Sequence, residues 1–167
     1  MPRQLCLVHG NAFVPERYGG GRNQPMGHLI EVGEQPYSEL MGRPRGGGRA
    51  YRGRQPMRGL FHAPLVVQFP ADGACMVTEV RLHFVTEVRA RLAALRLFDG
   101  TAKLLELENL AIDGDHSERL VDGATRFALA APAPVTRGLC ISVEIDWGGG
   151  DYGQVRFVAA GVVLEHG

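Results

Sequence analysis

Residues 137–148, RGLCISVEIDWG, constrain the fold more than any other stretch of the chain. Leu139, Ile141, Val143, Ile145 and Trp147 fall on one side, and Cys140, Ser142, Glu144 and Asp146 on the other. A helix would spread the first five around its whole circumference. A strand with one face on a core and one face toward water accommodates all nine.

The same period recurs along much of the chain. Leu5 and Leu7 open a first strand, interrupted by a turn at His9-Gly10-Asn11 and closed by Pro15. His28–Val32 has room for one short strand. Leu65, Val67 and Phe69 alternate with polar or smaller neighbours, and Val80, Leu82 and Phe84 alternate with Glu79, Arg81 and His83. Residues 85–98 admit two readings. Val85, Val88, Leu92 and Leu95 have helical spacing, whereas period two turns Ala93, Leu95 and Leu97 inward and ends at the turn dipeptide Asp99-Gly100. The strand is preferred because a strand precedes it and a turn ends it. Leu105 and Leu107 mark a further strand. Phe127 and Leu129 mark another, stopped by Pro132 and Pro134. Val155, Phe157 and Ala159 mark the last, with a bulge expected at Gly161. Short strands separated by Gly, Pro and Asp turns, without a clear helix, predict an all-β fold: an antiparallel β-sandwich, jelly-roll-like.

A length of 167 residues with 45% apolar content fits one sandwich domain spanning 1–167. Residues 16–58 form a long Gly/Arg/Pro-rich insertion or arm within it, too poor in apolar side chains to bury itself. The formal net charge is zero, but it is unevenly spread. Residues 1–60 hold nine Arg against four Glu, and residues 61–167 hold nine basic against fourteen acidic groups. Such asymmetry could steer a partner or bring copies together head to tail. Cys6, Cys75 and Cys140 are odd in number and widely spaced, which reads as free thiols in a reducing compartment. The opening MPRQLCLVHGNAF has too short an apolar run for a signal peptide, and no window is long enough to span a bilayer as a helix. A cytoplasmic location is therefore expected.

VHGNAF (8–13), LFHAPLV (60–66), LRLFDG (95–100), GDHS (114–117), GLCISVEI (138–145) and VRFVAAGVVL (155–164) occur in that order. Together they resemble a family of uncharacterised bacterial β-sandwich proteins, a domain of unknown function with VHGNA, FHxP-like, GDHS and GLxISVxV motifs. The resemblance spans most of residues 5–164 and leaves out the basic insertion. It implies a sandwich and no particular activity.

Four constellations offer chemistry. His9, His62 and His116 each sit in a motif beside a turn or strand start, where sandwich ends converge. Three imidazoles there could hold a divalent metal with Asp115 nearby, but no H-x-H or H-E-x-x-H spacing supports it, and turn-fixing hydrogen bonds are the preferred reading. In DGDHSE, Asp113, Asp115 and Ser117 have the first spacings of a calcium loop, but Glu118 and Ala124 occupy the positions that need Gly and Glu, so a surface Asx-turn is expected. Arg43, Arg45, Arg49, Arg52, Arg54 and Arg58, with Tyr51 among them, could contact a neighbouring subunit's carboxylates. Binding of single-stranded nucleic acid by charge and stacking ranks below that, because six arginines are a modest charge and the rest of the chain is acidic. Ser142 and Cys140 lie on the outward face of the opening strand without a G-x-S-x-G elbow, and Glu144 and Asp146 beside them read as solvated carboxylates.

Enzymatic activity and a resident cofactor are not expected, a divalent ion at the histidines excepted. The leading expectation is a non-enzymatic sandwich acting by association, as a homo-oligomer or as a subunit of a larger assembly, with the basic arm at the interface. Its partner would then be a second copy or another protein, with no role for a membrane. The alternative is a sandwich that binds a metal or small ligand at the histidine end, and the third is nucleic-acid binding through the Arg/Gly segment.

Overall fold

A computed structural model describes residues 3–16, 30–32, 49–53, 58–67, 74–117, 125–148 and 153–166. The elements are β1 (Arg3–His9), a 3-10 turn (Gly10–Ala12), β2 (Val14–Pro15), β3 (Ile30–Val32), β4 (Arg49–Gly53), β5 (Arg58–Leu65), β6 (Cys75–Glu87), β7 (Arg91–Asp99), β8 (Ala102–Ile112), β9 (Arg126–Pro134), β10 (Leu139–Asp146) and β11 (Gly153–His166). They form two antiparallel sheets. One has the order β3-β4-β11-β6-β9, with β1 also paired to β11, and the other has the order β2-β5-β10-β7-β8. Most connections cross from one sheet to the other, as in a jelly roll. The ambiguous stretch 85–98 resolves as the end of β6 and most of β7, with no helix.

The alternation in β10 works as its sequence implies. Leu139, Ile141, Val143, Ile145 and Trp147 are all buried, and the strand lies between β5 and β7. Opposite it, Val80, Leu82 and Phe84 of β6 and Val155 and Phe157 of β11 close the core. An aromatic group ties the two layers together. Phe13 stacks on Phe157 with centroids 4.1 Å apart, Phe61 meets Tyr51 at 4.7 Å and Phe157 at 5.1 Å, and Trp147 stands edge-on to Phe61. Such ring pairs contribute about 1 kcal/mol each beyond their buried area.

Three local expectations change. Pro132 and Pro134 do not stop β9; the strand runs to Pro134 along a sheet edge, where a missing N–H costs no ladder bond. The bulge of β11 falls between Phe157 and Ala159, and the second register shift, beside Val163 and Leu164, puts the extra residue, Thr78, on β6, so Gly161 itself stays in register. In β1 the inner residues are Cys6 and Val8, while Leu5 and Leu7 face outward.

The β6–β7 corner carries backbone strain. Val88 and Arg89 have φ of 51° and 63°, and the Ala90 N–H donates to the Glu87 carbonyl across the turn. Two successive left-handed residues suit Asn-Gly, and a β-branched side chain is poorly tolerated there. The double change Val88→Asn with Arg89→Gly is expected to stabilise the fold by about 1–2 kcal/mol, read as a higher urea midpoint at unchanged slope.

Candidate functional site

The outer face of the six-stranded sheet carries a groove. Leu5, Val163, Glu79 and Ala128 lie in one cross-strand row spanning β1, β11, β6 and β9. The row beside it holds Leu7, Gly161, Arg81 and Arg126. Together with Arg3, Gln4 and Thr78 these strands enclose an open cavity of about 400 Å³. Its floor is aliphatic and its walls are polar.

Glu79 is the electrostatic centre of this groove. Its Oε1 accepts from Arg81 Nε at 2.5 Å, and its Oε2 accepts from Arg126 Nε and Nη2 at 3.1 and 2.7 Å. Burial alone would raise the Glu79 pKa; the two guanidiniums outweigh that and hold it below the ordinary carboxylate value. The carboxylate is therefore ionised at neutral pH. Thr78 Oγ1 donates to the Val163 carbonyl at 3.3 Å, and Arg3 Nε donates to Glu165 at 2.8 Å at one end.

The opposite outer face, on the five-stranded sheet, is an ion-pair network. Arg96 reaches Glu106, Glu108 and Glu144, and Arg58 donates to Glu144 at 2.5 Å. Here Ser142 Oγ is 2.7 Å from His62 Nδ1, and His62 Nε2 is 3.6 Å from Glu16 Oε2. The order Ser, His, Glu resembles a charge-paired nucleophile, but two facts prevent it from acting as one. Ser142 is only 2% exposed, and its backbone lies mid-strand between β5 and β7, so no free amides are aimed at an oxyanion. Burial pushes the Cys140 thiol up, and the Cys6 and Cys75 thiols likewise, so none is poised as a thiolate. Glu144 and Asp146, expected to be solvated, instead accept from Arg58 and Arg96 and from Arg91, respectively.

The three motif histidines do not come together. His9 Nδ1 accepts from the Asn11 N–H as the cap of the 3-10 turn, His62 serves Ser142, and His116 Nε2 lies 2.7 Å from the Asp113 carbonyl while its ring packs on Phe84. Among the described residues no three His, Cys, Asp or Glu side chains are grouped to hold a metal ion. Residues 113–117 form the Asx-turn their composition suggests, with the Ser117 N–H and Oγ both donating to Asp115 Oδ1. A fourth imidazole, His83, was not singled out by its sequence. It is 4% exposed, its Nε2 has no partner among the described residues, and burial first, then Arg81, lowers its pKa.

The basic arm divides. Arg43, Arg45 and Arg54 lie outside the described residues. Arg49 and Arg52 belong to β4, and Tyr51 between them is fully buried, its hydroxyl donating to the Phe13 carbonyl at 2.8 Å. It therefore has no free face on which a base could stack. Arg58 is spent on Glu144 of its own chain.

No family model matches the chain, and no curated protein does. Among solved structures, that of TmCBM61 in complex with β-1,4-galactotriose is similar at 17% identity, covering 90% of this chain and 89% of that one with a TM-score of 0.41. The expectation that the chain acts by association through its basic arm is corrected here. The described part of that arm is engaged within the chain itself: β4 is paired on both sides, Tyr51 is buried and Arg58 is held by Glu144. The sandwich implied by the motif resemblance is present, and among the described residues no helix is long and apolar enough to cross a membrane.

Proposed function

We propose that this protein binds a small polar ligand in the groove formed by β1, β6, β9 and β11. The observation that carries this reading is the groove itself: about 400 Å³ of open space over Leu5, Val163 and Ala128, walled by Gln4, Thr78, Glu79, Arg81 and Arg126. Small-ligand sites combine such volume with an apolar surface and a few fixed polar groups. Here Glu79 locks the two guanidiniums in place before any ligand arrives, which lowers the ordering cost of binding. The small-ligand alternative is retained, but its place moves from the histidine end to the sheet face.

Among the described residues, no aromatic ring lines the groove. Phe13, Phe61, Phe84, Phe127, Phe157, Tyr51 and Trp147 are all in the core. A ligand in this groove is held by hydrogen bonds and aliphatic contact instead.

Ala128 lines the groove from the outer face of an edge strand and is exposed, so a large side chain there fills the space without entering the core. Ala128→Trp is expected to weaken ligand binding at least tenfold while leaving the melting temperature within about 2 °C of the parent, since surface changes rarely cost more than a few tenths of a kcal/mol. Binding is read as amide chemical-shift changes on titrating the full chain with a panel of neutral and acidic mono- and trisaccharides. Shifts mapping to the five-stranded sheet, or surviving Ala128→Trp unchanged, would place the site elsewhere.

A further inference from the structure

We infer that the groove selects a ligand bearing an oxyanion, a carboxylate or sulfate on a hydroxylated body, with that group seated on Arg81 and Arg126. This rests on the groove being a binding site and specifies what it takes. The first support is register. Arg81 and Arg126 are direct cross-strand partners on the same outward face of β6 and β9. Like charges in that position destabilise a sheet unless an anion lies between them. Glu79 supplies one such anion, but it is a single carboxylate facing two guanidiniums.

The second support is the count of donors. Arg81 gives only Nε to Glu79, and Arg126 gives Nε and Nη2. Among the described residues, both Nη groups of Arg81 and Nη1 of Arg126 have no protein acceptor. A planar guanidinium presents these donors in a fork that matches two oxygens of a carboxylate or sulfate. Because Glu79 fixes the Nε side of both arginines, the remaining donors are held rather than free to rotate.

The third support is the balance of charge around the cavity. Its lining includes Arg3, Arg81 and Arg126 but only one carboxylate, Glu79, with Arg3 neutralised by Glu165 just outside. One positive charge is left over, next to an aliphatic floor that weakens its solvation. Thr78 beside them keeps an oxygen lone pair that suits a hydroxyl, since its Oγ1 only donates to the Val163 carbonyl, while Gln4 Oε1 already pairs with His166 Nε2 at 2.9 Å.

The test is a titration of the full chain, at low and at physiological salt, with galacturonate, galactose 6-sulfate and neutral galactose, followed by amide and arginine Nε–H shifts. The expected result is at least tenfold tighter binding of an acidic sugar than of galactose, with the advantage shrinking as salt rises. The carboxylate and sulfate arms decide which oxyanion fits. Arg126→Gln is expected to abolish the preference. Glu79→Gln, which keeps an amide oxygen to hold a guanidinium but removes the competing negative charge, is expected to tighten acidic-ligand binding several-fold, a direction that mere structural damage would not produce. Thermal melts of each variant establish folding, and Arg81→Gln stands in if either fails to fold. Equal binding of neutral and acidic sugars in the groove overturns the oxyanion inference and leaves the binding site intact. An acidic preference that persists in Arg126→Gln and Arg81→Gln also overturns it. Absence of groove shifts with every sugar overturns both.

Discussion

Asp99→Ala is expected to lower stability by about 3 kcal/mol at neutral pH, or roughly 6–12 °C in melting temperature for a chain of this size. Asp99 ends β7 and is only 4% exposed. Its carboxylate accepts from the Thr136 N–H and Oγ1 through Oδ2 and from the Arg137 and Gly138 N–H groups through Oδ1, all at 2.8 Å. These four bonds shape the connection that leads from β9 into β10, so a side chain in one sheet sets the entry angle of the central strand beside it. Removing it strands three backbone donors at once. Asn is a partial substitute, since its amide oxygen can serve one set of donors while its NH2 opposes the other.

The same contacts fix a pH signature. Burial would raise the Asp99 pKa, but the bonds from Gly138, Thr136 and Arg137 lower it from 3.8 to about 2. A carboxyl depressed in the folded state stabilises it fully above its unfolded pKa, and that contribution disappears as pH falls from about 4 through about 2. Discounted for solvent at the rim of the sheet, this contribution is on the order of 1–2 kcal/mol. Urea unfolding at pH 7, 4 and 2.5 should show the parent converging toward Asp99→Ala in that window. Parallel loss of stability in the two proteins across it would mean that the carboxylate is not the latch.

The strands that were legible in the sequence are those whose two faces differ in polarity. β6 and β10 read clearly because Glu79, Arg81, Ser142 and Glu144 alternate with residues that are fully buried. β4 does not, because its five residues hold only Ala50 and Tyr51 between two arginines, with one glycine after them, which is the composition of an arm. The length of β9 is hidden by its prolines, which stop a central strand but not an edge strand. The strain at Val88 left no mark in the sequence, since nothing in EVRA predicts two left-handed residues.

The groove was less legible than the fold for a geometric reason. Its residues come from four strands spread from Arg3 to Val163, and only the register of β1, β11, β6 and β9 sets them in rows. Alternating Glu79 and Arg81 looked like an ordinary solvated face. A usable signal was present in Arg126, the residue that opens an otherwise apolar strand ending in two prolines. Histidines stand out in a sequence because of their chemistry, but here His9 and His116 are spent on turns.

Gly10→Ala is expected to have an effect at least as large as Asp99→Ala, about 4 kcal/mol or more. Gly10 opens the 3-10 turn that His9 caps, and it is buried against β11. A methyl group there would lie 1.9 Å from the Phe157 carbonyl oxygen, 2.4 Å from its carbon and 2.9 Å from the Val158 nitrogen. These are backbone atoms at the bulge of β11, so they cannot rotate away as a side chain could. The turn and the strand must separate by more than an ångström, and Phe13, which follows the turn, would be drawn off its 4.1 Å stack on Phe157. That couples one added carbon to the aromatic group joining the two sheets, which places the change among the large core disruptions. The glycine is thus required for close approach rather than for turn flexibility. His9→Ala supplies the contrast, because it removes only the cap bond to the Asn11 N–H and should cost about 1 kcal/mol or less. Denaturant unfolding of the two variants, with near-ultraviolet circular dichroism reporting the aromatic group, separates the effects. A Gly10→Ala protein melting within 2–3 °C of the parent, with its aromatic signal intact, would show that the turn does not seat against β11 as described.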